Sequence, residues 1–450
     1  MGNVNEIYNT KSRLSVSSPA VNQKSQMDGL IVYLNGQSDG SSFLGKLPSV
    51  VLVNIFRFVD NKNELLRLAS VCRSWRDLIY TTPTLWRNMH LEFCCNCKCL
   101  NRKKAFSNAI RFGCHLYELS ISVCKHHECH LSSCSLATVF RKCLQDLRHP
   151  TLTSIKISDI GMREASTRTP SDISREMTRL VSRLDRLKCF KMTKAQWPIE
   201  EGNNLINTVL TTSRGTLQSL DIDRFFHTRL LAEKPVKLDQ LTTGILSLTS
   251  LTKLGIDYIL LTDDFVTSLS RSHAGQLQTL KLVAGWIPYG TTPHLISRKA
   301  WVNLTDACPA MKVAFYVDPD TLEDSGFEIL DPVLPIYKIN LLEGDILYYL
   351  NDVLEYIADN FRKSLVKLES DQYSDHFPTD AAFLQFVRKC RRLRCVNVSA
   401  HFLTPETVKT AMKLIGDRKR RHDLRILRMS HPNKRAKTGP AKVPRSNIAN

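Results

Sequence analysis

No apolar run in this 450-residue chain approaches the length that a membrane-spanning helix needs. No charged segment followed by an apolar stretch opens it, so no secretory leader is expected. Met1-Gly2 begins like an acylation signal, but the sixth residue is Glu6 rather than Ser or Thr, and the motif fails. A glycine-rich phosphate loop is missing, and no Ser/His/Asp order stands out. The acidic pairs Glu200-Glu201 and Asp263-Asp264 are adjacent in sequence. Adjacency suits solvated loops or helix starts rather than two carboxylates facing a substrate. The chain is therefore expected to be no enzyme and to need no cofactor. Its 14 cysteines are too few for a disulfide scaffold and read as reduced intracellular thiols.

Acid is in short supply: 43 Asp and Glu stand against 62 Lys and Arg, a net charge of +19. Residues 417–450 hold 11 Lys and Arg against Asp417 and Asp423, a local charge of +9. The cluster Arg418-Lys419-Arg420-Arg421 is expected to cap the fold. The later cluster lies in a Pro/Gly/Lys tail, where Lys434, Arg435 and Lys437 form a candidate nuclear import signal. A merely solvated tail and a nucleic-acid contact are the alternatives. Aromatic residues, which would stack on bases, are absent from 417–450. The expected location is cytoplasmic, nuclear or both.

Nine of the cysteines fall within 94–143, among His115, His126, His127 and His130. Cys94-x-x-Cys97 and His126-x-x-x-His130 have separations that let two ligands converge on one zinc ion. There is no second Cys-x-x-Cys pair and no paired order of eight ligands, so a RING finger is excluded. No metal is the expectation, with zinc at Cys94, Cys97, His126 and His130 as the weaker alternative. Cys390 and Cys395 frame Arg391-Arg392-x-Arg394, and such charge can lower a thiol pKa. Flanking a repeat boundary is the commoner reason for such a pair.

What the chain does have begins at Leu47-Pro48. Pro48 suits a first helical turn, and Val51, Leu52, Ile55, Phe56 and Val59 follow at helical spacing. Asp60–Asn63 breaks the pattern, and Asn63 is the expected N-cap of a second helix. Leu65, Leu68, Cys72, Trp75 and Ile79 then form a seam that Thr81-Thr82-Pro83 ends. Leu66, Val71 and Leu78 are apolar off that seam, and some other surface must cover them. About 40 residues is near the lower limit for a self-sufficient core. This three-helix unit resembles an F-box, on its Leu-Pro opening, Ile55, Val71-Cys72-Arg73-x-Trp75-Arg76 and Pro83-x-Leu85-Trp86. Val50 stands where that family often has an acid. The resemblance implies docking on a Skp1-type adaptor, and through it a cullin, by Leu47, Pro48, Val51, Leu52, Ile55, Val71, Cys72, Trp75 and Trp86.

Beyond Trp86 a Leu-x-x-Leu-x-Ile pattern recurs, from Leu116-Leu119-Ile121 through Leu152-Ile155-Ile157, Leu187-Phe190-Met192, Leu217-Leu220-Ile222, Leu251-Leu254-Ile256 and Leu277-Leu280-Leu282. Ile336-Ile339-Leu341, Leu393-Val396-Val398 and Leu424-Leu427-Met429 continue it, with weaker copies at Met311–Val317 and Leu365–Leu368. The mean period is about 31 residues, the range of solenoids. Helix-period stretches at Arg179–Leu187, Asp345–Phe361 and Ala381–Cys390 alternate with these short strands. Such coils bury their apolar faces only by stacking. The pattern resembles the leucine-rich repeats that often follow an F-box, although the expected Asn or Cys is replaced by Ile160, Phe225, Ile259 and Gly285. The stretch from His273-x-x-Gln276-Leu277 through Leu330-x-Pro332 is similar to the F-box only thirty-three and thirty-nine type.

The expected fold is α/β: a disordered lead-in at 1–42, a helical F-box at 43–90, a curved solenoid of parallel short strands and helices at 91–430, and a basic disordered tail at 431–450. Leu30–Leu34, of possible strand character, has no assigned role. The implied function is that of a substrate-recognition subunit of a Skp1-cullin-F-box ubiquitin ligase, binding an unknown protein substrate on its repeats, with no membrane contact. A non-degradative interaction scaffold is the alternative, and a nucleic-acid-associated protein a weaker one.

Overall fold

The computed structural model describes residues 47–59, 62–93, 111–123, 136–147, 151–161, 168–227, 239–285, 294–342, 350–374, 380–400 and 404–416. Two compact units meet between Leu85 and Trp86, ahead of the boundary at 90 expected from sequence. The segments 1–42 and 431–450, Leu30–Leu34 and the repeat copy at Leu424, Leu427 and Met429 lie outside the described residues.

In the first unit, helix α1 spans Ser49–Arg57. Pro48 is its N-cap rather than its first residue, with φ −55° and ψ 142°. The Pro48 carbonyl accepts from the N–H groups of Val51 and Leu52 at 2.9 and 3.2 Å, and its own missing N–H costs nothing there. Helix α2 spans Lys62–Leu68, so Asn63 lies inside it and is not its cap. The seam expected from Leu65 to Ile79 is not one helix. The chain turns after Leu68 and restarts as α3, Arg73–Thr81. Cys72 makes the restart: its backbone is extended, and its Sγ accepts from the Trp75 N–H at 3.5 Å. A side-chain acceptor at this position satisfies one of the donors that a helix start leaves open. The break lets α3 bring Trp75 against α1, where its ring meets Phe56 edge-on at 5.1 Å. Leu52, Phe56, Leu65, Leu68 and Ile79 are buried with it.

Among the described residues, the second unit forms one sheet of 11 parallel strands in sequence order. They are β1 Asn88–Phe93, β2 Glu118–Val123, β3 Ser154–Ser158, β4 Cys189–Thr193, β5 Ser219–Asp221 and β6 Lys253–Asp257. Then come β7 Thr279–Ala284, β8 Lys312–Val317, β9 Ile336–Leu341, β10 Lys367–Ser374 and β11 Cys395–Ala400. The helices between and after them are α4 Leu136–Asp146, α5 Arg168–Val181, α6 Ile199–Thr212, α7 Asp239–Leu246, α8 Asp263–Ser272 and α9 Arg298–Ala307. They continue as α10 Pro319–Asp324, α11 Leu350–Phe361, α12 Asp380–Lys389 and α13 Pro405–Gly416. Strand–helix alternation and in-order pairing make this the solenoid-like α/β stack that the repeats predict.

The repeat positions explain the register. Leu119, Ile155, Phe190, Leu220, Leu254, Leu280 and Val313 are direct partners on successive strands, and all are buried. A one-residue slip would turn each of them out to water, so the apolar period fixes the pairing. The leading residues Leu116, Leu152, Leu187, Leu217, Leu251 and Leu277 are buried in the turns before the strands. Where the family would carry an Asn or Cys, Ile160 and Phe225 are buried side chains, so those corners close by apolar packing.

Three expectations need correction. Helix α5 runs Arg168–Val181, not Arg179–Leu187, because Leu187 already belongs to the approach to β4. The weak copies at Met311 and Leu365 precede full strands, β8 and β10. Most telling is β1, which the repeat count missed. Trp86-x-x-Met89-x-Leu91 is the same pattern with Trp in the leucine slot, and all three side chains are buried. Trp86 stacks on Phe112 at 3.7 Å and 5° between planes, and the Arg111 guanidinium lies 5.4 Å from the Phe112 ring. Trp86→Ala is expected to destabilise the solenoid by about 3–5 kcal/mol, the range for a large aromatic removed from a packed site. Chemical denaturation of the full chain checks this, and a loss below about 1 kcal/mol contradicts it.

Candidate functional site

Among the described residues, the first unit carries most of the large apolar side chains left exposed. Phe58 is 88% exposed, Val50 72% and Val71 62%, and Val51 and Ile55 are also open. Val51, Ile55 and Phe58 are spaced four and three residues apart, so they form one stripe along α1 and its end. Pro48 and Cys72 are exposed too, and Leu47 is half-buried. Of the residues expected to meet an adaptor, Pro48, Val51, Ile55, Val71 and Cys72 are therefore open at the surface. Leu52, Trp75 and Trp86 are buried within the chain itself, where they pack its interior. Val50 and Phe58 were passed over. Val50 occupies the place where the F-box pattern often has an acid, and Phe58, one residue past the end of α1, continues the stripe of Val51 and Ile55. Of the off-seam residues, Leu66 and Leu78 are half-buried, while Val71 is uncovered.

The zinc alternative at Cys94, Cys97, His126 and His130 and the basic cluster at Lys434, Arg435 and Lys437 lie outside the described residues. Cys143 is buried, and burial first, then Asp146, pushes its thiol up to about 12. Cys390 is buried, which removes it as a reactive thiol. His273 is a satisfied interior residue: its Nε2 meets the Leu248 carbonyl at 2.9 Å, and Cys308 Sγ donates to the His273 carbonyl at 3.2 Å. Glu200-Glu201 and Asp263-Asp264 sit in the first turns of α6 and α8, as helix starts favour.

The open face of the sheet holds a charge network. Lys191, Asp221, Gly255 and Lys281 are partners on four successive strands. Gly255 has no side chain, so Lys281 reaches across β6 to Asp221 Oδ2 at 3.1 Å, and to Asp223 Oδ2 at 3.1 Å. A Cβ on Gly255 would lie 2.4 Å from Asp221 Oδ1, so any other residue would block the pair. Lys191 meets Asp221 from the other side at 3.1 Å. Burial disfavours the charged form of Asp221, but Lys281 and Lys191 outweigh it and hold the carboxyl below its usual range. Burial wins at Asp223, whose pKa is raised despite Lys281. Two strands on, the Lys281 and Lys338 ammoniums lie 5.2 and 4.7 Å from the Tyr316 ring centre. Lys338 donates to Tyr316 Oη at 2.9 Å and pairs with Glu369 at 2.6 Å.

Asp257, at the end of β6, is buried among Asp223, Arg224 and Lys281, and Oδ1 accepts from the Arg224 N–H at 2.8 Å. Arg224 has a positive φ of 49°, so this carboxylate props a strained corner. Burial pushes the Asp257 carboxyl up to about 7, from 3.8. The folded state thus holds the proton more tightly than the unfolded chain, and stability falls as pH rises between those two values. Asp257→Asn keeps the acceptor for Arg224 and removes the titration. The variant is expected to gain stability over the wild type on going from about pH 5 to pH 8. Parallel melting-temperature curves for the two proteins would contradict this.

An F-box-like family model matches residues 44–92. Among solved structures, the chain is similar to the leucine-rich repeat-containing protein LegL7 from Legionella pneumophila, at 12% identity and a TM-score of 0.35, over 73% of this chain and 98% of that one. A TLR13–ssRNA13 complex matches at 11% identity and a TM-score of 0.30, over 72% of this chain and 53% of that one. A Bacteroides fragilis protein matches at 12% identity and 0.27, over 72% of each. The register of the 11 strands, rather than these likenesses, defines the fold. Residues 44–92 are an F-box-like domain, and its match ends within β1, the first strand of the solenoid.

Proposed function

We propose that the chain is the substrate-recognition subunit of a Skp1-cullin-F-box ubiquitin ligase. The observation that carries this reading is the cluster of uncovered apolar side chains, Val50, Val51, Ile55, Phe58 and Val71, on the F-box-like domain. Apolar side chains grouped on a small helical unit mark a surface that a partner covers. A Skp1-type adaptor supplies that cover and links the chain to a cullin. The solenoid holds a protein substrate, and the ligase acts by proximity: a tethered lysine meets the charged ubiquitin carrier at high effective concentration. No bond is made or broken on this chain. The stretch from His273 through Pro332 supports a narrower placing with the F-box only thirty-three and thirty-nine type.

Val51→Asp with Ile55→Asp places two charges on the α1 stripe without touching Leu52, Phe56 or Trp75. Loss of buried apolar anchors costs on the order of 2 kcal/mol or more, so adaptor affinity is expected to fall at least about 30-fold. Co-purification with Skp1-type adaptors, quantified by calorimetry, reads this, with far-ultraviolet circular dichroism confirming that the variant is folded. A wild-type chain that captures no adaptor, or a variant that binds as tightly, would remove the reading.

A further inference from the structure

We propose that the turns at the end of the solenoid, before β10 and β11, bind an acidic peptide segment of the substrate. This rests on the substrate-receptor reading and names the chemistry of what is received.

The turns 362–366 and 390–394 have the same length and stack directly. Arg394 and Cys395 donate their N–H groups to the Val366 carbonyl at 2.8 and 3.2 Å, and Arg392 Nη1 donates to the Lys363 carbonyl at 3.0 Å. This stacking brings Arg362, Lys363, Arg391, Arg392 and Arg394 onto one edge, and all are exposed. Two acidic groups on the flanking elements are already taken: Asp359 pairs with Lys389 at 2.6 Å, and Glu369 with Lys338 and Lys367. Among the described residues, Arg362, Lys363, Arg391, Arg392 and Arg394 make no ion pair.

Cations on the last turn of a helix have a structural reason, because they face the negative end of its dipole. That reason covers Arg388 and Lys389, which lie in the last turn of α12. Arg362, Lys363 and Arg391, just past the helix ends, share that reason in part, whereas Arg392 and Arg394 lie further from the helix ends. Like charges on adjacent coils repel, a cost set against the bond that Arg392 makes to the Lys363 carbonyl. An anion set across both turns removes the repulsion. Guanidinium groups, the majority here, match carboxylates two hydrogen bonds at a time.

A carboxylate-bearing peptide fits this edge better than nucleic acid. Adjacent coils are about 4.8 Å apart, and alternate side chains of an extended peptide recur about every 6.8 Å, so a short run of Asp or Glu spans both turns. A nucleic-acid reader would add an element that enters a groove or a ring on which bases stack. These turns offer no exposed aromatic ring and no projecting helix or ribbon.

The full-length protein is tested with a fluorescein-labelled oligoglutamate peptide by anisotropy, beside an uncharged peptide of equal length and a duplex DNA oligonucleotide. The glutamate peptide is expected to bind, to weaken with salt, and to lose at least about tenfold in affinity in Arg391→Glu with Arg392→Glu and Arg394→Glu. The milder pair Arg391→Gln with Arg394→Gln serves if the triple variant does not fold, with a smaller loss expected. Lys434→Ala with Arg435→Ala and Lys437→Ala is expected to leave most of the affinity in place. Absence of peptide binding, equal binding by the turn variants, dependence on the tail instead, or tighter binding of DNA through the same arginines would each overturn the proposal. Adaptor capture is measured on the same preparations. Its failure with peptide binding intact sinks the receptor reading alone, and the converse sinks only the acidic-segment proposal.

Discussion

A single strand followed by a single helix leaves an apolar face that nothing within the coil can cover. Leu119, Ile155, Phe190, Leu220, Leu254, Leu280 and Val313 meet across successive strands for that reason, each covered by the coils on either side. Once this ladder is set, the side chains between its rungs must all point to the other face. Lys156, Lys191, Asp221, Lys281 and Lys338 stand on that open face because the apolar register leaves them nowhere else. Their partners are then chosen by strand spacing. Lys156 pairs with Glu118 on the next strand, while Lys281 reaches two strands away because Gly255 leaves the intervening position empty. The charged network is thus a consequence of core packing, and its one long step depends on a missing side chain.

How much of this was legible follows from range. Core periodicity is local, so the copies from Leu116 through Leu393 marked every strand from β2 to β11. The β1 strand escaped because Trp86 fills the leucine slot and also closes the F-box-like motif, and one residue was credited to one role. Cys72 escaped differently. Its spacing from Leu68 and Trp75 fits a helical seam, yet a helix start can fall between two residues that keep helical spacing. Only the extended backbone at Cys72 and its bond to the Trp75 N–H show that the seam is two helices. The Lys281–Asp221 pair was beyond reach altogether, since its partners are 60 residues apart and the enabling residue, Gly255, has no chemistry of its own.

The docking face shows where family resemblance and burial part ways. A motif records which residue types recur, without separating those that hold the unit together from those that meet a partner. Trp75 and Leu52 are buried within the unit, and Ile55 and Val71 are open at its surface. Phe58 carries the largest exposed apolar surface of the unit and is not part of the motif quoted for it. In a unit this small, the interior consumes its periodic positions, and the surface left for a partner is made of what remains.

The two units leave different kinds of surface uncovered, and that difference bears on what each could hold. On the F-box-like domain the open residues include the apolar Val50, Val51, Ile55, Phe58 and Val71, and association through them would be driven by burial and weakened little by salt. At the final turns of the solenoid the open residues are Arg362, Lys363, Arg391, Arg392 and Arg394, whose attraction is long-ranged and strongly screened. For the receptor role proposed above, that division would give a slow release on the apolar side and a fast, charge-steered encounter on the other. The stacked arginines repel across the coil pair that carries them, while the buried ladder beneath, Leu365 and Leu368 beside Leu393 and Val396, supplies the stability that lets the repulsion persist.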